Sequence, residues 1–155
     1  LTHSHWDHIA DAKKISEHFH LPILIHCDDA YNLRTPGADQ VPTWLPIEGA
    51  APTQELQDKD TVSLLHSVWN VIHTPGHTPG GICLYNENEH ILFSGDTLFK
   101  NSFGSISLPT SEPERMMTSL KKLALLPPET TAFPGHGPST TIGREKWLSN
   151  PEQFI

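Results

Sequence analysis

The spacing of apolar residues predicts where helices and strands lie along this chain. From Asp7 to Phe19 they recur at helical spacing, at positions Ile9, Ala12, Ile15 and Phe19. The apolar run Pro22–Ile25 predicts a short buried strand. Further strands are predicted by alternating or short apolar runs at Thr61–Leu65, Val68–Ile72, Gly81–Tyr85, His90–Phe93 and Thr131–Phe133.

Turn and helix signals divide the rest of the chain. One or two helical turns are expected at Asp28–Leu33, and a hairpin turn at Asn86–Asn88. Proline near the start of a helix predicts that one begins at Ser111–Glu114 and continues through Met116–Leu126. A last helix is predicted at Thr141–Trp147, and residues Arg34–Gln54, which lack periodicity, are predicted to form a long irregular loop.

Length and composition narrow the class of protein. The 155 residues, with no long linker, predict a single domain over 1–155 that is large enough to bury a core. A net charge of −8 argues against nucleic acid as the partner, and no apolar run is long enough for a membrane span. Cys27 and Cys83 lie in apolar surroundings and are expected to be small buried residues. We therefore expect a cytoplasmic protein that acts on a small molecule.

Eleven histidines point to the chemistry, and they are densest at the start of the chain. In His3-Ser-His5-Trp-Asp7-His8, side chains two apart on an extended segment point the same way, so His3 and His5 are able to reach one metal. A turn after them would direct Asp7 and His8 to a second metal nearby. Imidazole and carboxylate ligands suit Zn²⁺, and also Fe or Mn.

Three later segments share one pattern, in which a predicted strand runs into a loop that carries a ligand-type side chain. These side chains are His77, Asp96 and His136, and each directly follows a glycine, which permits unusual dihedrals and close backbone approach. Together with the first cluster, the pattern predicts a metal site. The other histidines are expected to be surface residues, except His26 and His73, for which a hydrogen-bonded supporting role is considered.

These motifs, in this order, resemble the metallo-β-lactamase superfamily, and most closely its glyoxalase II-like branch of small hydrolases. The motifs are Thr-His-Ser-His-Trp-Asp-His, Pro-Gly-His77-Thr-Pro-Gly, Ser-Gly-Asp96-Thr-Leu-Phe and Phe-Pro-Gly-His136-Gly. The resemblance implies that His3, His5 and His77 hold one metal, and that Asp7, His8 and His136 hold the other. It implies that Asp96 bridges the two metals.

The fold implied by the resemblance is an α/β four-layer αββα sandwich with the metal site at one edge of its two sheets. In that fold, further strands of the first sheet precede the first motif. This chain opens at Leu1-Thr-His3, so we expect an N-terminally incomplete domain and a natural protein that is longer at this end.

The implied function is metal-dependent hydrolysis. Two divalent metals, Zn²⁺ first and Fe or Mn otherwise, would clamp a bridging hydroxide that attacks an ester-like carbonyl. Asp7 would orient that hydroxide as well as bind metal. The branch implies a thioester substrate such as an S-acyl-glutathione. However, Ser105 and Ser107 stand where this branch usually has Arg and Asp, so weak selectivity for glutathione is expected.

Other functions remain open at this point. Persulfide dioxygenases share the fold and use one Fe(II), for which His3, His77 and Asp96 would be the ligands. A lactonase or β-lactamase would use the same hydroxide with a different pocket. An inactive truncated binding module is the alternative from another class. The presence of Asp7, His8 and His136 favours two metals, and the number of metals bound would discriminate.

Overall fold

A computed structural model of the protein describes residues 1–64 and 66–154. Leu65, the last residue of the strand predicted at 61–65, lies outside the described residues. The helices are α1 (Trp6–Ile9), α2 (Ala12–Phe19), α3 (Ala30–Arg34) and α4 (Pro113–Leu123). The strands are β1 (Leu24–His26), β2 (Gln54–Leu56), β3 (Thr61–Leu64), β4 (Ser67–His73), β5 (Ile82–Asn86), β6 (Ile91–Gly95), β7 (Leu98–Phe99), β8 (Ser102–Phe103), β9 (Thr131–Pro134) and β10 (Thr140–Thr141).

A six-stranded sheet forms the centre of the molecule, in the order β10-β9-β6-β5-β4-β3. Its neighbours are antiparallel except β6 and β9, which run parallel and are joined by a crossover that contains α4. The two strands therefore end at the same edge of the sheet, and the loops that follow them lie side by side.

Helix α4 covers one face of this sheet. Pro113 occupies the first turn of the helix, where its missing N–H costs no hydrogen bond, as predicted. The buried residues Met116, Leu120 and Leu123 of α4 pack in one cluster with Cys83 and Leu92 from the sheet. This cluster is the largest part of the hydrophobic core.

The opposite face of the sheet packs on a second, smaller layer, the parallel pair β1 and β2. Leu24 of β1 and Leu56 of β2 contact Val71 and Ile82 of the large sheet. The other side of β1, through Ile25, packs against α1 and α3. The order of layers is thus helix, large sheet, small sheet, helices, and the predicted αββα arrangement is confirmed.

Several predicted elements differ in detail. The helix predicted from Asp7 to Phe19 is interrupted at Asp11, whose backbone leaves the helical region (φ −112°, ψ 8°) and begins α2. The helix predicted at Thr141–Trp147 is wrong, since the chain forms two 3₁₀ turns there. Its Glu145 carboxylate turns inward and accepts hydrogen bonds from Thr140 Oγ1 and Trp147 Nε1, which replaces a regular helix.

The predicted irregular loop between α3 and β2 is confirmed, and it reaches the first histidine motif. The Trp44 ring of this loop lies 5.7 Å from the ring of Trp6, between His5 and Asp7 in the chain. Cys83 is buried as predicted, whereas Cys27 is only half-buried. Among the described residues, no helix has both the length and the apolar character needed to cross a membrane.

Candidate metal centre

Four segments bring the predicted ligands together at one edge of the large sheet. His3 and His5 precede α1, and the other two predicted ligands of this motif, Asp7 and His8, lie within it. The remaining ligands follow strands: His77 comes after β4, Asp96 after β6 and His136 after β9. The three strand ends place their loops against the first motif, so Asp7 and His136, which are 129 positions apart, meet.

Three histidines form the first triad, which we call the first subsite: His3, His5 and His77. Each offers a ring nitrogen, and the three nitrogens lie within 4.8 Å of one another. His5 Nδ1 and His77 Nε2 are 2.8 Å apart. All three residues are buried, with exposures of 2%, 4% and 7%.

The second triad, or second subsite, consists of Asp7, His8 and His136, whose ligand atoms also lie within 4.8 Å of one another. His136 Nε2 is 2.9 Å from Asp7 Oδ2 and 3.1 Å from His8 Nε2. The side chain of His136 is 56% exposed and that of Asp7 is 32% exposed. The second subsite therefore faces solvent, while the first lies beneath it.

Asp96 lies between the two subsites. Its Oδ1 is 3.3 Å from His8 Nε2, and its Oδ2 is 3.6 Å from His77 Nε2. The backbone at residue 135 approaches the Asp96 carboxylate so closely that only glycine fits, because a Cβ there would lie 2.3 Å from Asp96 Oδ1. Gly95, directly before Asp96, has a φ of +50°, which a glycine adopts at little cost. One carboxylate thus contacts ligands of both subsites.

The unpartnered atoms of the site show that its residues fit metal ions. His3 Nε2 and Asp96 Oδ1 are buried and form no hydrogen bond with the described residues. Burying such atoms without a partner is unfavourable, whereas coordination of a cation would compensate for it. Nitrogen and carboxylate donors suit Zn²⁺, Fe and Mn. The geometry is therefore compatible with two divalent metals, and the seven-ligand set remains a prediction.

Burial and nearby charges shift the histidine pKa values of the two subsites in opposite directions. Desolvation and the neighbouring His77 lower the pKa of His5 to about 4, and desolvation also places the pKa of His3 well below its usual value. Desolvation lowers the pKa of His8 too, but the nearby carboxylates of Asp96 and Asp7 outweigh it and raise that pKa. A histidine binds metal through its neutral form.

We expect acidification to release the second-subsite metal before the first. As pH falls through the raised pKa of His8, a proton competes for the nitrogen that would bind metal, whereas His5 stays neutral down to about pH 4. Dialysis of metal-loaded protein at a series of pH values, followed by elemental analysis, would measure this. Simultaneous loss of both metals would contradict the expectation.

The predicted ligand His77 is held in place by a loop that the sequence did not single out for this role. Its Nδ1 lies 2.9 Å from the Ser105 carbonyl oxygen, to which the ring donates, and this leaves Nε2 free for a metal. Ser111 Oγ donates to the His77 carbonyl oxygen at 2.9 Å. The Ser105 and Ser107 hydroxyls, 3.0 Å apart, bond to each other.

Asp29 is a second supporting residue that sequence reasoning missed. The residue is 2% exposed, and its carboxylate accepts hydrogen bonds from Ser4 N, Thr78 Oγ1 and Gly80 N. In the sequence it reads as an acidic residue near a helix start, which is a common and unspecific pattern. The available signal was that it lies three residues after a short buried strand.

His26 and His73 form a separate pair with Asp28, away from the seven ligands. Their rings stack with centroids 3.9 Å apart and an angle of 16° between planes. Stacked parallel rings direct their nitrogen lone pairs side by side rather than at one point, which disfavours shared metal binding. His73 Nε2 donates to the Pro79 carbonyl oxygen at 2.9 Å and so supports the loop that carries His77.

Fold and site together define a metallo-hydrolase, and the chain belongs to the metallo-β-lactamase superfamily, whose model matches residues 1–136. It is 32% identical over 155 residues to the hydroxyacylglutathione hydrolase GloC of Haemophilus influenzae, a match that covers 97% of this chain and 73% of the relative.

Two solved structures extend this likeness. The BLEG-1 B3 metallo-β-lactamase superposes with a TM-score of 0.88 at 34% identity, over 97% of this chain and 76% of that one. A di-iron-bound form of TTHA1623 superposes with a TM-score of 0.80 at 35% identity, over 97% of this chain and 74% of that one. The predicted fold class is confirmed by these neighbours.

Proposed function

We propose that this protein hydrolyses thioesters such as S-acyl-glutathiones with two divalent metals, Zn²⁺ first and Fe or Mn otherwise. The observation that carries the proposal is the pair of triads joined by Asp96, with buried nitrogen and oxygen atoms that have no other partner among the described residues. The name of the GloC relative supports a glutathione thioester as substrate. The di-iron form of TTHA1623 supports a site for two metals.

When bound, two metals would supply an activated water at neutral pH and polarise the substrate carbonyl. The protein residues then have distinct tasks. His3, His5 and His77 form the buried floor of the site, and Asp96 would hold the two metals at a fixed separation. Asp7 is the proposed catalytic residue, because its carboxylate lies on the solvent-exposed side, where it would accept a hydrogen bond from the attacking water and orient it.

The open side of the second subsite is the proposed entrance for substrate. His136 is the most exposed of the seven ligands, and the ring of Phe99 lies 6.4 Å from its ring. A thioester suits this site because a thiolate leaves without a strong general acid. Ser105 and Ser107 pair with each other and offer no cationic group to the carboxylates of glutathione. We therefore propose a thioesterase with weak selectivity for glutathione.

Metal content and a substrate comparison test the proposal. Protein purified without added metal should contain close to two Zn, Fe or Mn ions per chain by elemental analysis. It should hydrolyse S-acyl-glutathiones and acyl-coenzyme A thioesters with kcat/KM values within about tenfold of each other, because a single lost ionic contact is worth about 1.4 kcal/mol or less.

Two results would overturn the proposal. A single iron per chain together with oxygen consumption on a persulfide would move the assignment to dioxygenase chemistry. Faster hydrolysis of a lactone or a β-lactam than of any thioester would replace the substrate class while leaving the two-metal centre in place.

A further inference from the structure

A single buried carboxylate connects the two segments that supply the first subsite. Asp29 Oδ2 accepts from the backbone N–H of Ser4 at 2.7 Å and from Thr78 Oγ1 at 3.0 Å. Its Oδ1 accepts from Gly80 N at 2.7 Å. Ser4 stands between His3 and His5, and Thr78 directly follows His77. All three ligands of the first subsite are thus within one residue of a group that Asp29 holds.

Ser4 is held from both sides. Its carbonyl oxygen accepts from Asn32 Nδ2 at 2.7 Å, while its N–H donates to Asp29. Asn32 is buried and is itself fixed by Asp39, whose Oδ2 accepts from Asn32 Nδ2 at 3.0 Å. The peptide groups that flank Ser4 therefore have little freedom to rotate, and the directions of the His3 and His5 side chains follow from them.

The hydrogen bond between Asp29 and the His77 loop requires a glycine at residue 80. A Cβ on residue 80 would lie 2.6 Å from both the backbone nitrogen and Oδ1 of Asp29. Among the described residues, no cationic side chain forms an ion pair with Asp29, so its charge is balanced by N–H and O–H donors. Burying a carboxylate in this way is costly, and it remains favourable only while all three donors stay in position.

We propose that Asp29 is a positioning residue that sets the geometry of the first metal subsite by holding the His3–His5 segment against the His77 loop. The inference rests on the proposed two-metal centre. It concerns one subsite, because the groups that Asp29 binds flank His3, His5 and His77. None of them neighbours Asp96 or His136 in the chain, and Asp29 forms no described hydrogen bond with Asp7 or His8.

The test is the substitution Asp29→Asn, with Asp28→Asn as its matched control. Asparagine keeps the shape of aspartate but places an NH₂ group against N–H or O–H donors, which separates the two segments. The control makes the same charge change one residue earlier, on a side chain that is 47% exposed and lies beside Cys27 and His26. Both variants are made in the full chain and checked by circular dichroism.

Zn²⁺ affinity is the readout, because it reports on ligand geometry well below the melting temperature and needs no substrate. Metal-free protein is titrated with Zn²⁺ in competition with a chromophoric chelator. We expect Asp29→Asn to weaken one of the two sites by about tenfold, the lower end of the effect of losing a group bonded directly to a metal ligand, because Asp29 bonds to residues beside the ligands. The other site should stay within about twofold. Asp28→Asn should leave both unchanged.

The affected site is assigned in the His136→Ala background, where only the first subsite keeps its full set of histidines. Asp29→Asn should weaken the remaining Zn²⁺ there by the same factor. If Asp29→Asn fails to fold, Thr78→Val removes one donor without a change of charge, and a weakening of the same site by several-fold is expected.

Unchanged affinity in both Asp29→Asn and Thr78→Val would overturn the proposal, as would equal weakening of both sites. Binding of no Zn²⁺, or of one, by the wild-type chain would instead overturn the two-metal centre of the proposed function. The two failures are therefore distinguishable.

Discussion

Replacing Asp96 with asparagine is expected to lower kcat/KM for the best thioester by on the order of a thousandfold, the scale of losing one main electrostatic contribution in an active site. Asp96 lies within 3.7 Å of His77 in the first subsite and of His8 and His136 in the second. An amide lacks the charge to bind two cations and would place an N–H₂ group toward His8 or His77. Steady-state kinetics and metal content measure the effect together.

Asp11→Asn is the matched control for this substitution. It makes the same change of charge on a side chain that is 66% exposed and pairs with Lys14. We expect its kcat/KM to stay within about twofold of wild type, since an exposed pair contributes little. An Asp96→Asn variant that retains two metals and more than a tenth of wild-type activity would show that Asp96 does not join the two subsites.

Removal of metal by a chelator is expected to produce the second large effect, a loss of thermal stability. The predicted ligands come from four segments that extend from His3 to His136, so bound metal would cross-link these segments. At free metal a thousandfold above Kd, each site adds about 4 kcal/mol to the free energy of unfolding. For a chain of this size, that corresponds to a fall in Tm of roughly 10 °C or more on chelation.

Calorimetry with and without chelator measures this shift, and returning Zn²⁺ should restore the original Tm. In a His77→Ala variant, which lacks one ligand of the first subsite, the shift should be about half as large. A Tm that does not change on chelation in the wild-type chain would mean that the four segments are held together without metal.

The candidate site left a clearer pattern in the sequence than the pairing of the strands around it, for a physical reason. Metal ligands must be particular residue types at particular spacings, so His3, His5, His77 and their partners leave a readable pattern in the sequence. The fold supplies the remaining condition, that the strand ends before these loops meet at one edge. That condition follows from the pairing of β6 with β9, which only the structure reveals.

Features that depend on distant contacts were not predictable in this way. Glu145 prevents the last predicted helix because it bonds to Thr140, Trp147 and the Asn101 backbone, and no local pattern records those partners. Asp29 lies 25 residues from Ser4 and 51 from Gly80, so its role is equally hidden in the sequence. The identity of the metal is also not encoded, since nitrogen and carboxylate ligands accept several ions.

The crossover from β6 through α4 to β9 has a consequence for how the protein is made. A chain emerges from the ribosome N-terminal end first. His3, His5 and His77 leave the ribosome well before His136, which follows the crossover. All three residues of the first subsite are therefore synthesised before the second subsite has its full set, which requires the β6–α4–β9 crossover to be complete.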